Sequence, residues 1–310
     1  MCSMNNKLVL SLIALMFLGS TTTFAQRRGR MQRRVLPQKE MALQLYSIRE
    51  VIGDADKYAK NHVDVFKRLR AMGYTGVEAA NYGDGKFYGV SPEQYRKDVE
   101  VAGLKPISSH TTRALSDKEL KNHDFTEALK WWDEAIKAHK AAGMKYIVTP
   151  WASVPKTLKD AQTLCDYHNE IGKKCRAAGL LYGYHSHSHE FTKVEGQNWY
   201  EYFVSHTNPE YMFFQMDVYW AMMAQQSPTE WFRKHPGRFK MLHIKDKYVL
   251  GESGMVGFDG IFKYADKAGL QDFVVEMEGT EGGMNIMEGV RLCARYIQKA
   301  PFVKRTYTKQ

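Results

Sequence analysis

The chain has 310 residues, of which 44% are hydrophobic and 13% aromatic, a composition that excludes a largely disordered protein and allows a large buried core. The formal net charge is +10, but residues 1–34 carry six of these excess positive charges and no acid, so the rest of the chain is only mildly basic. This distribution argues against nucleic-acid binding, for which basic residues would be spread over a folded face.

The N-terminal segment has the pattern of a secretory signal peptide. A polar start is followed by the apolar run LVLSLIALMFLG (8–19) and then by small residues up to Ala25. The run is shorter than the ~20 residues that span a bilayer, so an uncleaved anchor is the less favoured alternative, and no integral membrane segment is expected after signal removal. We therefore predict a signal peptide over 1–25, a secreted or periplasmic location, and a solvated basic arm over 26–40.

A repeated junction, in which a helical stretch ends in glycine and a β-rich run follows at once, organises the rest of the chain. Glycine suits the C-terminus of a helix because it tolerates positive φ where the chain turns into the next strand. Five near-copies are present: AMGYTGVEA (71–79), VAGLKPISS (101–109), AAGMKYIVT (141–149), AAGLLYGYH (177–185) and KAGLQDFVVE (267–276).

Eight β-rich segments alternate with helical segments such as HVDVFKRLRAMG and EALKWWDEAIKAHKAAG. This alternation implies a parallel sheet, and eight units favour a closed (β/α)8 TIM barrel over an open doubly wound sheet. No GxGxxG follows the first strand, which counts against a dinucleotide-binding fold. We predict one α/β domain over 41–300, a C-terminal tail over 301–310, and strands near 41–48, 74–80, 105–111, 145–150, 180–187, 211–217, 239–245 and 272–278.

The three cysteines beyond the signal peptide contain no CxxC pair. An odd number without metal-site spacing predicts small buried helix residues and no disulfide framework. These residues are Cys165, Cys175 and Cys293.

Polar residues occur at the carboxyl ends of the predicted strands, where TIM barrels carry their chemistry. Buried carboxylates and imidazoles are costly unless something compensates them, and one divalent cation compensates several at once. Two imidazoles and two carboxylates suit Mn, Zn, Fe or Co better than Ca. We therefore predict one divalent metal ion held by His185, Asp217, His243 and Glu276, with His187 as an alternative ligand from strand 5.

Other strand-end residues have both functional and structural interpretations. We assign His110, Trp151, Trp220 and Glu278 as substrate-binding candidates, although they could instead serve as wall, core or salt-bridge residues. His189 and Glu190 are expected in a loop, where solvation or helix capping explains them as well as catalysis does.

The strand ends resemble those of the xylose isomerase-like TIM barrel superfamily, the sugar phosphate isomerases and epimerases related to endonuclease IV. The resemblance spans roughly 41–300 and is carried by GYTGVE (73–78), GYHSHSHEF (183–191), MDVYW (216–220), HIKD (243–246) and VVEMEG (274–279). In that family one metal is held at the ends of strands 5 to 8, often by Glu, Asp, His and Glu. Carried over by position, the resemblance implies the same four residues, His185, Asp217, His243 and Glu276.

Two departures from the family pattern bear on mechanism. His185 occupies the place where epimerases usually have a glutamate that also serves as an acid/base group. Trp220 occupies the place of a histidine common in relatives. A two-carboxylate epimerase mechanism would therefore need a substitute, for which the candidates are His187, Glu78 and Lys245.

The resemblance implies proton abstraction next to a carbonyl, with the metal stabilising an enediolate. We assign His187 or Glu78 as general base or acid and Lys245 to the developing oxyanion. The favoured function is a secreted sugar isomerase or epimerase acting on a small-molecule carbohydrate. A lyase that eliminates from a 3-keto-glycoside or dehydrates a keto-polyol is the close alternative, and a non-enzymatic carbohydrate-binding barrel is less favoured. Metal identity, the sugar and homo-oligomerisation stay open.

Overall fold

The computed structural model of the protein describes residues 38–307, and the predicted signal peptide and most of the predicted basic arm lie outside these residues. Eight parallel strands form the central sheet. They are β1 (Ala42–Gln44), β2 (Gly76–Ala79), β3 (Lys105–Ser109), β4 (Tyr146–Thr149), β5 (Leu181–Ser186), β6 (Met212–Asp217), β7 (Met241–Lys245) and β8 (Asp272–Glu276).

The order of the strands closes the sheet into a barrel. Neighbours run β3-β2-β1-β8-β7-β6-β5-β4, all parallel. The two ends meet where Lys145 N donates to Ile107 O (3.0 Å) and Thr111 N donates to Val148 O (2.9 Å). The predicted (β/α)8 barrel is confirmed, with each strand inside or overlapping its predicted segment.

Several strands end earlier than predicted, and β1 differs most. The predicted strand 41–48 becomes a three-residue strand followed by a 3-10 helix, Leu45–Ile48, because the Gln44 side chain accepts a hydrogen bond from Tyr46 N (3.0 Å) and turns the chain. β8 ends at Glu276, so Glu278 lies in the following loop, and β5 ends one residue before His187.

Helices and two short hairpins fill the connections between the strands. Helices are capped as their sequences suggest; for example, Asp54 and Thr157 accept N–H groups of the first turns that follow them. The α-helices are Arg49–Ile52, Ala55–Met72, Pro92–Val101, Asp117–Asn122, Thr126–Ala141, Leu158–Ala177, Trp199–His206, Val218–Met223, Pro228–Lys234, Phe258–Lys263, Ala265–Ala268 and Ile286–Lys299. A second 3-10 helix spans His189–Phe191, and the hairpins pair Tyr82–Gly83 with Lys86–Phe87 and Lys193–Val194 with Gln197–Asn198.

The glycines at the repeated junctions adopt the backbone conformation for which they were predicted. Gly73, with φ of 103°, ends helix Ala55–Met72 and donates its N–H to Arg70 O (3.1 Å). Gly269, with φ of 81°, also approaches the backbone of Gly237 so closely that a Cβ would lie 2.8 Å from its Cα. A side chain at either position would therefore strain the turn into the next strand.

Every second side chain of a strand points into the barrel, and these inward-facing side chains fill the interior in layers. An apolar cluster occupies the interior below the carboxyl ends of the strands, and a larger core lies between the sheet and the helices. Gly183 leaves room for the Phe213 ring, since a Cβ there would lie 2.5 Å from it. The interior cluster consists of Ala42, Tyr146, Val148, Phe213, Met241 and Val274.

Three further features of residues 38–307 are the cysteines, the lengths of the helices and the contacts of the C-terminal tail. The three predicted cysteines are free and buried on helices. No helix in this part of the chain is long and apolar enough to cross a bilayer. The tail packs on the barrel through Tyr307, whose ring centroid lies 5.8 Å from that of Phe262.

Two buried structural histidines should make stability depend on pH. Burial lowers the pKa of His139 to about 4 and that of His168 to about 3. Because the unfolded chain takes up protons near pH 6.5 and the folded chain does not, stability that is present above this pH is lost as the pH falls from 6.5 toward the folded values. For His168, roughly 2 kcal/mol should be lost between pH 7.5 and pH 5. Urea unfolding of the wild type and His168→Gln at both pH values measures this difference, and an identical pH dependence in the two proteins would contradict it.

Candidate active site

The predicted metal ligands lie together at the carboxyl end of the barrel. His185, Asp217, His243 and Glu276 each offer one nitrogen or oxygen atom, and these atoms lie within 4.8 Å of one another. All four side chains are buried. The alternation of side chains along a strand explains why the four lie together. Each ligand comes two or four positions after an inward-facing residue, as His243 comes after Met241, and therefore also faces the barrel interior.

Four imidazoles lie close together here, those of the ligands His185 and His243 and those of their neighbours His110 and His187. The ring centroid of His185 lies 4.4 Å from that of His243, 4.9 Å from that of His110 and 4.6 Å from that of His187. Burial lowers the pKa of His185 well below its usual range and that of His187 to about 4. Both rings are therefore neutral near pH 7 and carry a free lone pair, the form in which imidazole binds a metal or accepts a proton.

Glu78 lies below this cluster and has no exposed surface. Its Oε1 accepts from Gln44 Nε2 (2.8 Å) and lies 2.7 Å from His243 Nε2 and 3.1 Å from His110 Nε2. Its Oε2 accepts from two further side chains, Ser108 Oγ (2.6 Å) and Gln215 Nε2 (2.9 Å). Burial alone would raise the pKa of Glu78, but the charges of His110 and His243 outweigh it and hold the pKa well below its usual range.

His243 is held between two carboxylates. Its Nε2 contacts Glu78, and its Nδ1 lies 3.3 Å from Glu276 Oε2. Burial would lower the pKa of His243, but Glu78 and Glu276 raise it to about 10. A carboxylate on one ring nitrogen orients the other toward a metal, and the metal then competes with the proton for that nitrogen.

Three buried atoms of the site that can offer a lone pair to a cation or a proton have no hydrogen-bond partner within residues 38–307. They are His185 Nδ1, His187 Nδ1 and Asp217 Oδ2. The other oxygen of Asp217 accepts from the N–H groups of Tyr219 and Trp220 and so fixes the carboxylate at the start of helix Val218–Met223. An unsatisfied buried polar atom costs about 1–3 kcal/mol, and burial raises the pKa of Asp217. The donor set fits a divalent cation, which would satisfy His185 and Asp217 together.

Lys245 lies beside the carboxylates of β8 and the loop that follows it. Its Nζ is 2.9 Å from Glu278 Oε2, 3.7 Å from Glu276 Oε2 and 5.8 Å from the centre of the Trp220 ring. Burial would lower the pKa of Lys245, but Glu276 and Asp217 outweigh it and raise the pKa. The ammonium group therefore stays charged at the edge of the site.

A cavity of about 580 Å³ opens over these groups, within the range of about 300–1,000 Å³ that is typical of small-molecule sites. Glu78, Asp217 and His243 have no exposed surface and lie below it. Its lining includes Tyr46, Asn81, His110, Trp151, His185, His187, Glu276 and Glu278.

The structure brings the predicted ligands His185, Asp217, His243 and Glu276 to one place, so the strand-5 member of the group is the predicted His185 and not its alternative His187. The environment of one neighbouring residue differs from the expectation. Glu190 was expected in a loop, where solvation or capping would account for it, but it is fully buried and accepts from His187 N (2.8 Å) and Tyr184 Oη (2.8 Å).

The polar side chains that hold Glu78 were not predicted from the sequence. Gln44, Ser108 and Gln215 are polar residues within otherwise buried strands, a signal that could have marked them. Tyr46 and Asn81, which line the cavity, lie in connections that carry no recognisable motif.

Comparison with known proteins places this site within a family. The family model for the xylose isomerase-like TIM barrel matches residues 66–296. A sugar phosphate isomerase/epimerase from Parabacteroides distasonis ATCC 8503 is 34% identical, with a TM-score of 0.79 over 87% of this chain and 97% of that chain. No curated protein gave a significant match.

Two more distant structures share the fold. An L-ribulose 3-epimerase is 13% identical with a TM-score of 0.64, covering 83% of this chain and 92% of that chain. The IOLI protein, whose structure holds a zinc atom, is also 13% identical, with a TM-score of 0.61 over 83% of this chain and 95% of that chain. The family match and the 34% identity together show that the chain belongs to the xylose isomerase-like TIM barrel family.

Proposed function

We propose that the protein is a metal-dependent sugar isomerase or epimerase that removes a proton next to a carbonyl group. The observation that carries this proposal is the convergence of four buried donor side chains, whose donor atoms lie within 4.8 Å of one another, at the base of a cavity of sugar size. The family match and the isomerase/epimerase relative support the reaction class. The predicted signal peptide supports export, which would bring the enzyme to free sugars, glycosides or their oxidised forms more than to sugar phosphates.

His185, Asp217, His243 and Glu276 would hold one divalent ion. The mixed nitrogen and oxygen set suits Mn, Zn, Fe or Co. His185 Nδ1 and Asp217 Oδ2 have no hydrogen-bond partner among the described residues, and a cation would satisfy both atoms. When bound, the ion would act as a Lewis acid that stabilises negative charge on the substrate oxygen as the proton leaves.

His187 is the side chain best placed to take the proton. It borders the cavity, its Nδ1 has no partner among the described residues, and its backbone N–H is fixed by Glu190. Lys245, held by Glu278, would stabilise the developing oxyanion with its positive charge. The contacts favour His187 over Glu78 as the general base, because both oxygens of Glu78 are already occupied below the cavity.

Glu78 would instead position the site. Through Oε1 it reaches His243 and His110 at once, while Gln44, Ser108 and Gln215 fix its own orientation. Its negative charge would favour the ring orientation in which His243 presents Nδ1 to the cation.

A lyase is the second candidate, and the residue at the strand-5 ligand position favours it. An epimerase needs acid/base groups on two faces of the substrate, whereas an elimination can proceed with one base and a leaving group. His185 supplies no carboxylate at this position. Two other imidazoles border the cavity, those of His110 and His187. His110 Nε2 contacts Glu78 and Gln215, whereas His187 Nδ1 is buried without a partner among the described residues, so one base is available.

Metal content tests the ligand set. Purified wild-type protein reconstituted with Mn or Zn should retain about one ion per chain, because four donors satisfy one cation. His185→Ala should lose most of that metal, whereas His206→Ala, which removes an exposed histidine from helix Trp199–His206, should retain it. Elemental analysis after dialysis measures the difference, and equal retention in both variants would overturn the assignment.

Proton exchange tests the role of His187. NMR of candidate keto- and aldo-sugars in D2O should show deuterium entering next to the carbonyl, and an unsaturated product would select the lyase. His187→Gln should slow exchange by about 10²–10⁴-fold with metal content unchanged, the usual contribution of a general base. His189→Gln serves as the control two positions away, and exchange that is insensitive to His187→Gln would exclude this residue as the base.

Metal affinity tests the role of Glu78. Glu78→Gln keeps the shape of the side chain but removes the charge beside His243, and affinity should fall by about 10–100-fold, as for other groups that orient metal-binding histidines. Competition with a chromophoric chelator measures the dissociation constant, and circular dichroism checks that the variant folds. Unchanged affinity in a folded Glu78→Gln protein would show that Glu78 has no such role.

A further inference from the structure

A second cavity of about 420 Å³ lies beside the proposed active site. It is formed by the loops that follow β3 and β4, with helix Leu158–Ala177 behind them. Thr112 and Trp151 line both this side cavity and the central cavity, so the two spaces adjoin. The volume is within the range of small-molecule sites, and nothing in the proposed proton transfer uses it.

The floor of the side cavity is largely apolar because most of its polar atoms are already paired. Trp132 Nε1 donates to Tyr167 Oη (2.8 Å), and Tyr167 Oη donates to the carbonyl oxygen of Arg113 (2.6 Å). Leu164, Ile171, Thr149 and His168 complete this surface, and both Thr149 Oγ1 and His168 Nδ1 contact Tyr182 Oη (2.7 Å and 2.6 Å). A second sugar ring would find few free hydrogen-bond partners on the floor, whereas an aromatic ring would bury apolar surface there.

Trp151 stands at the junction of the two cavities. Its side chain is 51% exposed, although it is a large aromatic residue at the mouth of the barrel. Its ring contacts His189 at a centroid distance of 5.7 Å. An exposed indole that borders both spaces can pack against a ligand that extends from one into the other.

The charged side chains around the side cavity lie at its rim. Arg113 is paired with Glu119 (2.7 Å). Lys121, Lys156, Lys159 and Asp117 are exposed to solvent, and Asp160 is half-buried in the first turn of helix Leu158–Ala177. The apolar floor, and not this rim, therefore determines which group can be buried.

We propose that the side cavity binds the aromatic aglycone of a glycoside whose sugar ring occupies the central cavity. The inference rests on the proposed function, which places a sugar in the central cavity. It narrows the substrate class from free sugars, glycosides or their oxidised forms to aryl glycosides whose sugar ring carries a carbonyl group. An unoxidised glycoside has an acetal at its anomeric carbon and so offers no carbonyl beside which a proton can be removed.

Calorimetry with paired phenyl and methyl glycosides tests the proposal. A panel of common hexoses in both anomeric forms should contain at least one sugar whose phenyl glycoside binds the wild-type protein tenfold or more tightly than its methyl glycoside. Ala114→Trp places a bulky ring in the side cavity from an exposed loop position and should remove this preference. Val154→Trp, from the opposite loop, should do the same.

The matched control is Val101→Trp, which adds the same ring at a 77%-exposed position of helix Pro92–Val101 that lines neither cavity. It should keep the preference for phenyl, and methyl glycosides should bind all variants equally. Equal binding of phenyl and methyl glycosides throughout the panel, or a preference that survives both blocking variants, would overturn the inference.

The outcomes also separate this inference from the proposed reaction. Deuterium exchange into a sugar without any preference for phenyl would overturn the aglycone site alone. A preference that Ala114→Trp removes, without exchange in any sugar, would support the aglycone site and count against the enolisation chemistry.

Discussion

Two carboxylates and two imidazoles are buried together at the mouth of the barrel, and the rest of the site depends on how their charges are balanced. Asp217, Glu276, His185 and His243 offer atoms within 4.8 Å of one another in a region that water barely reaches. Leaving such groups uncompensated is unfavourable, since His185 Nδ1 and Asp217 Oδ2 have no partner among residues 38–307. A divalent cation is the compensation we propose, and the chemistry assigned to His187 and Lys245 follows from its presence.

The side chains that lie below the four proposed ligands help to hold them in position. Glu78 links His243 and His110 through one oxygen and is itself held by Gln44, Ser108 and Gln215. Beneath this polar layer lies the apolar cluster of the barrel interior, including Phe213, for which Gly183 leaves space. Side chains fixed in this way need little reorganisation when charge develops on a substrate, which is the condition for electrostatic stabilisation of a transition state.

Much of this architecture could be predicted from the sequence because it follows from local patterns. The repeated Gly junctions, such as those at Gly73 and Gly269, mark where helices end, and the two-residue period of the strands aligns His185 and His243 with the barrel interior. Contacts between distant segments could not be predicted in this way. The five partners of Glu78 come from four other strands or their immediate ends, and no local pattern marks which polar residue meets which. Glu190 is buried and bonded to the Tyr184 hydroxyl and the His187 N–H, and these contacts could not be predicted from its place in a polar segment between strands.

The proposed cation site is tested most directly by anomalous diffraction from crystals of the metal-loaded protein, recorded above and below the absorption edge of the metal. The account predicts one anomalous peak at about 2.0–2.2 Å from nitrogen or oxygen atoms of His185, Asp217, His243 and Glu276. His187, His189 and Glu190 form another group whose donor atoms lie within the same distance of one another. A peak at that group, or no peak near the four proposed ligands, would contradict the account.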